Sequence, residues 1–222
     1  MYPRVQLSYQ YQPGSVLASL RSLVPERQLQ FTEALRIAEL QATRLRELTD
    51  VADDAMPEST ISKLPRLCIV RRRLPTSGMS YWNGHCWVIA LNSSEPESRQ
   101  RFTLFHEYKH VIDHARTERL YVGNGDHAPA EQAEQAADYF AGCVLMPKRL
   151  MKRAWCGGVQ RSKQLAELFD VSTRAAEVRL AQIGLNESRP RCAPPPRASG
   201  GTRGRYYRRS SMRSAIRMRV VA

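Results

Sequence analysis

The sequence predicts an α+β fold, mainly helical, with one small three-stranded antiparallel sheet, a helix-turn-helix-like segment behind it and a disordered basic tail. Three observations predict this. Apolar residues recur at helical spacing through residues 25–48, 97–115 and 130–145, which puts them on one face of each helix. Between the first two of these stretches the period shortens, and Asn83-Gly84 separates two aromatic and aliphatic runs, the strongest short-range signal for a hairpin. After Glu187, Pro, Gly, Ser and Arg dominate and bulky aliphatics almost vanish, a composition that cannot bury enough surface to fold.

Taken in order, Gly14-Ser15 caps a short helix running to about Leu23, and Pro25-Glu26 then reads as the first turn of a longer one. Phe31, Ala34, Leu35, Ala38, Ala42, Leu45 and Leu48 form its apolar stripe, so it is read as a core-facing packing helix. Residues 50–65 hold Asp53, Asp54, Pro57, Ser59 and Pro65 and suggest a loop or a short helix. Leu67, Cys68, Ile69 and Val70 make a first strand; Met79 to Trp82 and Cys86 to Leu91 make a hairpin whose Asn83-Gly84 turn is expected to be type I′. Residues 116–129, with Gly123, Asn124, Gly125 and Pro129, form a loop between the second and third long helices. Residues 160–183 read as two short helices split near Asp170-Val171-Ser172. The expected organisation is therefore a domain over residues 1–150, a helix-turn-helix-like segment over 151–187 and the tail over 188–222.

At 222 residues and 42% hydrophobic composition the chain can build a core without staples. Five cysteines, Cys68, Cys86, Cys143, Cys156 and Cys192, include no C-x-x-C pair, so neither a disulfide framework nor a cysteine zinc cluster is indicated. Reduced thiols, no signal peptide and no apolar run long enough to span a bilayer lead to the expectation of a cytoplasmic protein with no membrane contact. The formal charge of +13 suggests nucleic acid until it is located. Residues 188–222 carry ten arginines and no acid, which leaves 24 basic against 21 acidic residues in the body. The tail either holds nucleic acid nonspecifically through phosphates or is a solvated extension.

The chemistry lies in His106-Glu107-Tyr108-Lys109-His110. Residues four apart share a helical face, so both imidazoles can reach one metal ion while Glu107 sits beside an open coordination position. A catalytic zinc site needs three protein ligands and a general base. Glu134 and Asp138, also four apart, lie on the next long helix. Glu134 is expected as third ligand to a single Zn2+, and Asp138 as the acceptor that fixes a ligand imidazole's tautomer. Peptide hydrolysis fits such a set, with Glu107 taking a proton from water and passing it to the leaving amine. His114 continues the stripe, but one further turn displaces it by about 6 Å, so it is expected as a supporting or core residue. His127, Tyr121 and Tyr139 could donate to a developing oxyanion, although a solvated loop histidine is the plainer reading of His127. The second helix of the 160–183 pair offers Arg174 and Arg179 beside Glu177, Ala175 and Ala176, which favours packing or substrate docking over base reading.

The run Arg101-Phe102-Thr103-Leu104-Phe105-His106-Glu107-x-x-His110, then Glu134-x-x-Ala137-Asp138-x-Phe140-Ala141 and Leu145-Met146-Pro147, resembles the ImmA/IrrE family of zinc metallopeptidases. Val88-Ile89-Ala90-Leu91-Asn92 before this block, and Leu165-Ala166-x-x-Phe169-x-Val171-Ser172 with Arg179-Leu180 after it, are similar too, so the resemblance covers roughly residues 15–187. It implies a zincin-like, gluzincin-type endopeptidase that cleaves a helix-turn-helix repressor encoded nearby, and so induces a phage, a mobile element or a stress regulon. A DNA-binding regulator and an anti-repressor that binds without cutting are the alternatives. Members commonly carry Leu-Gly or Phe-Gly where this chain has Tyr108-Lys109. Lys109 falls on another helical face from the ligands and is expected to make a surface or substrate contact.

Overall fold

The computed structural model describes residues 15–51, 55–124 and 126–185; the arginine-rich tail and Asp53-Asp54 lie outside them. In chain order the elements are α1 (Ser15–Arg21), α2 (Phe31–Leu48), α3 (Glu58–Ser62), β1 (Leu67–Arg72), β2 (Gly78–Trp82), β3 (Trp87–Asn92), α4 (Glu97–Asp113), α5 (Thr117–Leu120), α6 (Pro129–Leu145), α7 (Lys148–Cys156), α8 (Ser162–Phe169) and α9 (Thr173–Gln182). The chain is mainly helical with one three-stranded sheet, as the α+β reading requires.

Helix α2 begins at Phe31, later than Pro25-Glu26 suggested. Gln30 is its N-cap, and a reciprocal capping box joins Gln30 to Glu33. The preceding stretch stays non-helical because Leu29 gives its amide to the Arg119 carbonyl (2.8 Å) and Arg27 holds Glu33 from outside (2.8 Å). Helix α2 buries Ala34, Ala38, Ala42 and Leu45, its expected stripe, chiefly against α6. Arg46 donates to the Val144 carbonyl at the far end of α6 (2.9 Å). Helix α7 fills a stretch to which no element was assigned. It starts directly after Pro147 and buries Leu150 and Met151.

The sheet is mixed, not antiparallel throughout. Its order is β1-β3-β2, with β2 antiparallel to β3 and β1 parallel to it. The reason is visible in β3, where Val88 to Asn92 are all buried. A strand apolar on both faces belongs in the middle of a sheet, whereas β1 and β2, each largely exposed, suit its edges. Residues 73–77 carry the chain past β3 to its far side.

The hairpin forms, but Trp82 pairs with Trp87 across a four-residue turn and only Gly84 has a positive φ (95°). Asn83 replaces the type I′ geometry by accepting from the His85 and Cys86 amides (2.9 and 2.8 Å) through its side chain, an Asx turn.

Helix α4 runs through the centre of the molecule. It touches β2, β3, α1 and α6, and from Thr103 to Asp113 only His110 is not fully buried. The core around it, including Ile89, Leu104, Phe105, Ile112, Phe140 and Val144, continues without a break into Leu165, Phe169, Ala176 and Leu180 of α8 and α9. Arg101 of α4 reinforces that junction by donating to the carbonyls of Met56 (3.0 Å) and Asp170 (2.9 Å) and to the Asp170 carboxylate (2.9 Å). The helix-turn-helix-like segment therefore shares the body's core. Among the described residues no helix is long and apolar enough to cross a membrane.

Candidate metal centre

Helix α4 places His106 and His110 one turn apart, and Glu134 reaches them from the second turn of α6, the helix packed alongside. His106 Nε2 lies 3.1 Å from His110 Nε2 and 3.2 Å from Glu134 Oε2, and His110 Nε2 lies 3.4 Å from Glu134 Oε1. Metal–ligand bonds of about 2.0–2.1 Å in a tetrahedral site set the ligand atoms about 3.3 Å apart. The three side chains therefore fit the edges of such a site, and together they form a group able to hold a metal ion. Two imidazoles and a carboxylate suit zinc, although the same donors accept other divalent ions.

Asp138, one turn beyond Glu134, accepts from His106 Nδ1 (2.8 Å). That contact leaves Nε2 facing Glu134 and His110. The electrostatics call for positive charge at this point. Burial alone would lower the His106 imidazole, yet hydrogen bonds to Asp138 and Glu134 push it up to about 10. His110 is lowered to about 4, first by burial and then by the charge on His106. Glu134 sits below the usual carboxylate value because its contacts with His106 and His110 outweigh its burial.

Glu107 packs against β2, where it hydrogen-bonds Ser80. It is buried, and burial raises its carboxyl above the ordinary value against the opposing effects of His106 and a hydrogen bond to Ser80. Gly78 allows that approach: a Cβ there would stand 2.5 Å from Thr103 Cγ2, 3.1 Å from the Ala90 carbonyl and 3.3 Å from Glu107 Cγ. Sequence reasoning missed both Ser80 and Gly78. The glycine opening a strand was a usable signal of close approach; nothing marked the serine.

The remaining candidates separate from the site. Tyr121 is buried with its hydroxyl on Asp113 (2.5 Å), so it does not face a substrate. Tyr139 bonds Glu39 of α2 (3.2 Å) and carries the Arg179 guanidinium over its ring at 5.4 Å. His127 is half-buried and paired with Glu131 one turn on (3.3 Å), as a local loop contact. His114 is neither core nor support for the ligands. It caps α4 with its backbone out of the helix, is exposed, and sets its ring edge-on to Trp87 at 4.8 Å.

Lys109 makes no surface contact. It is wholly buried, with Nζ 2.5 and 2.6 Å from the Asp113 carboxylate and 3.4 Å from the Tyr121 hydroxyl. The expectation failed because it assumed a solvated helical face at Lys109, and there α4 is covered.

A groove of about 250 Å3 opens beside His106 and Asp138, walled by Phe102, Met146, Ala175 and Val178. Helix α9 forms its outer wall. Arg179 of α9 is buried and donates to the Met146 carbonyl (3.0 Å), while Arg174 is exposed beside Glu177 (3.4 Å).

A mainly helical α+β domain in which an H-E-x-x-H helix meets a glutamate from a neighbouring helix defines a metallopeptidase-like fold. Residues 74–181 match the family model of the IrrE N-terminal-like domain, Peptidase_M78, and this part of the chain belongs to that family. No curated protein matches the chain. Among solved structures, a Mycobacterium tuberculosis transcriptional regulator is similar in fold, with a TM-score of 0.54 and 15% identity over 75% of this chain and 51% of that one. The chain thus spans about half the length of that regulator.

Proposed function

We propose that the chain is a zinc-dependent endopeptidase whose substrate is a helix-turn-helix repressor, so that cutting it relieves repression. The observation that carries this reading is the convergence of His106, His110 and Glu134 at tetrahedral spacing with the buried carboxyl of Glu107 one residue along the same helix. His106, His110 and Glu134 would hold the ion, which supplies Lewis acidity toward the scissile carbonyl. Glu107 takes a proton from the attacking water and returns it to the leaving amine nitrogen, and its raised carboxyl suits both directions of that transfer. Asp138 holds His106 in the ligating tautomer. The apolar groove between α4, α6 and α9 can receive a side chain of an extended peptide next to the scissile bond.

The support for a repressor as substrate is coarser: it comes from the ImmA/IrrE-like motifs and from similarity in fold to a protein described as a transcriptional regulator. That likeness also favours a second reading, in which the chain regulates transcription without cutting. The two are separated by mixing the metal-loaded protein, and its Glu107→Gln variant, with the repressor encoded beside it and reading fragments by mass spectrometry. Cleavage by the parent alone, with metal content equal in both, is expected. Fragments from both proteins would remove Glu107 from the mechanism, and fragments from neither would favour the regulator.

A further inference from the structure

We infer that Cys68 and Cys86 form a peroxide-responsive thiol pair that closes reversibly into a disulfide across the edge of the sheet. The inference is independent of the proposed peptidase activity. The linear sequence hides the pair, because eighteen positions separate the two residues and no C-x-x-C spacing marks them. The parallel pairing of β1 with β3 brings them together. Cys68 stands opposite Val88 in register, and Cys86 is the last residue of the turn that enters β3. Their Sγ atoms lie 2.7 Å apart, less than an ångström beyond the bonded separation of about 2.05 Å.

The surroundings assign the two sulfurs different parts. Cys86 is fixed by the Asx turn, since Asn83 Oδ1 accepts its amide (2.8 Å), and its sulfur accepts from Asn83 Nδ2 (3.5 Å). The Arg66 guanidinium lies next to this turn, stacked over Trp82 at 5.2 Å and donating to the His85 carbonyl (3.4 Å). The Asn83 amide donor on its sulfur and the guanidinium beside its turn orient Cys86 as the sulfur that attacks. The Cys68 thiol is held above its ordinary value, first by its hydrogen bond to Cys86, and so keeps the shared proton. Cys68 is exposed and Cys86 half-buried, so a small oxidant has access; Cys143, by contrast, is buried.

The chemistry balances with a peroxide as oxidant. The Cys86 thiolate attacks one peroxide oxygen, the O–O bond breaks, and Cys86 sulfenic acid and hydroxide form. The Cys68 sulfur then attacks the Cys86 sulfur, the S–O bond breaks, and the departing hydroxide takes the Cys68 proton to leave as water. In sum, two thiols and one hydrogen peroxide give one disulfide and two waters. A dithiol reductant reverses the change.

The test treats the folded full chain with hydrogen peroxide, alkylates the remaining thiols and digests with trypsin. Cleavage after the arginines at positions 66, 71, 73 and 99 puts Cys68 and Cys86 on separate peptides, residues 67–71 and 74–99, so only a disulfide can link them. The expected result is a linked pair of these peptides, monomeric protein, and return of both free thiols after dithiothreitol. Cys68→Ser should trap a Cys86 sulfenic acid that reacts with dimedone, whereas Cys86→Ser should leave Cys68 far slower to label. Separate alkylation of both peptides after oxidation, or linkage only between chains, would overturn the pairing. Equal labelling in the two variants would overturn the assignment of Cys86 as attacking sulfur.

Discussion

Replacing Lys109 by methionine should destabilise this protein more than any exposed substitution, even though the side chain touches neither the ligands nor the groove. Lys109 and Asp113 are 0% and 1% exposed, and the ammonium lies 2.5 Å from the carboxylate, which also receives the Tyr121 hydroxyl at 2.5 Å. Burial pulls the lysine below its usual value while Asp113 pulls it back up. Removing one member of a buried pair strands the other charge, at about 3–5 kcal/mol. Arg21 remains nearby, with its guanidinium on the Val111 and Ile112 carbonyls (2.8 and 3.2 Å) and under the influence of Asp113, so the lower end of that range is expected. At about 2–4 °C per kcal/mol for a domain of this size, that is a fall in Tm of about 6–12 °C. Adding Asp113→Leu should recover most of the loss but leave the buried Tyr121 hydroxyl unpaired, at about 1–3 kcal/mol. The triple variant with Tyr121→Phe should approach the parent or exceed it. Urea denaturation of the four proteins measures these steps one after another. A Lys109→Met variant within about 1 kcal/mol of the parent, or a triple variant no more stable than the single one, would refute the buried-pair account.

Gly78→Ala forces β2 away from α4, because its Cβ meets Thr103 at 2.5 Å; a loss of about 1–3 kcal/mol is expected, together with a fall in the proposed peptidase activity. Equal stability by calorimetry would show that the strand yields freely. Asp138→Asn should weaken metal binding about 10–100-fold in a chelator competition, and unchanged affinity would show that the 2.8 Å contact to His106 does not tune the ligand. Glu33 is depressed to about 2, first by its hydrogen bond to Arg27 and then by the Gln30 amide. Since the folded value lies below the unfolded one, its contribution to capping α2 is complete above pH of about 4.5 and disappears as pH falls toward about 2. An NMR titration placing the Glu33 midpoint near 4.5 would remove that contribution.

The metal group was legible because a helix converts spacing into direction: His106 and His110 had to share a face, and Glu134 with Asp138 supplied the same periodicity on a second helix. Long-range pairing left no comparable trace. That β1 joins β3 and leaves β3 in the middle follows from which strand is apolar on both faces, a fact spread over Val88 to Asn92 that the hairpin signal at Asn83-Gly84 obscured. The meeting of Cys68 and Cys86 depends on that register and was equally hidden. Lys109 was misplaced for a related reason. Helical spacing states which residues share a face but not how many faces are covered, and α4 is covered on nearly all of them. Helix α7 differs, since Leu150, Met151, Ala154 and Trp155 carry a helical stripe after Pro147 that could have been read.

The helix-turn-helix cadence of α8 and α9 invites a DNA-reading role, and the placement of its arginines argues against one. A recognition helix must present donors to base edges. Arg179 is 1% exposed and spent on the Met146 carbonyl and on the Tyr139 ring, and the exposed Arg174 stands beside Glu177, whose charge phosphates would repel. Arg101 anchors the turn between the two helices to α4, three residues after the Phe102 side of the groove begins at Ser98. Ala175 and Val178 turn the inner face of α9 toward His106 and Asp138. Small and apolar residues at those two positions leave room for a guest where a packed helix pair would have closed the gap. The segment that looks most like a DNA reader is thus built as one wall of the cleft beside the candidate metal group.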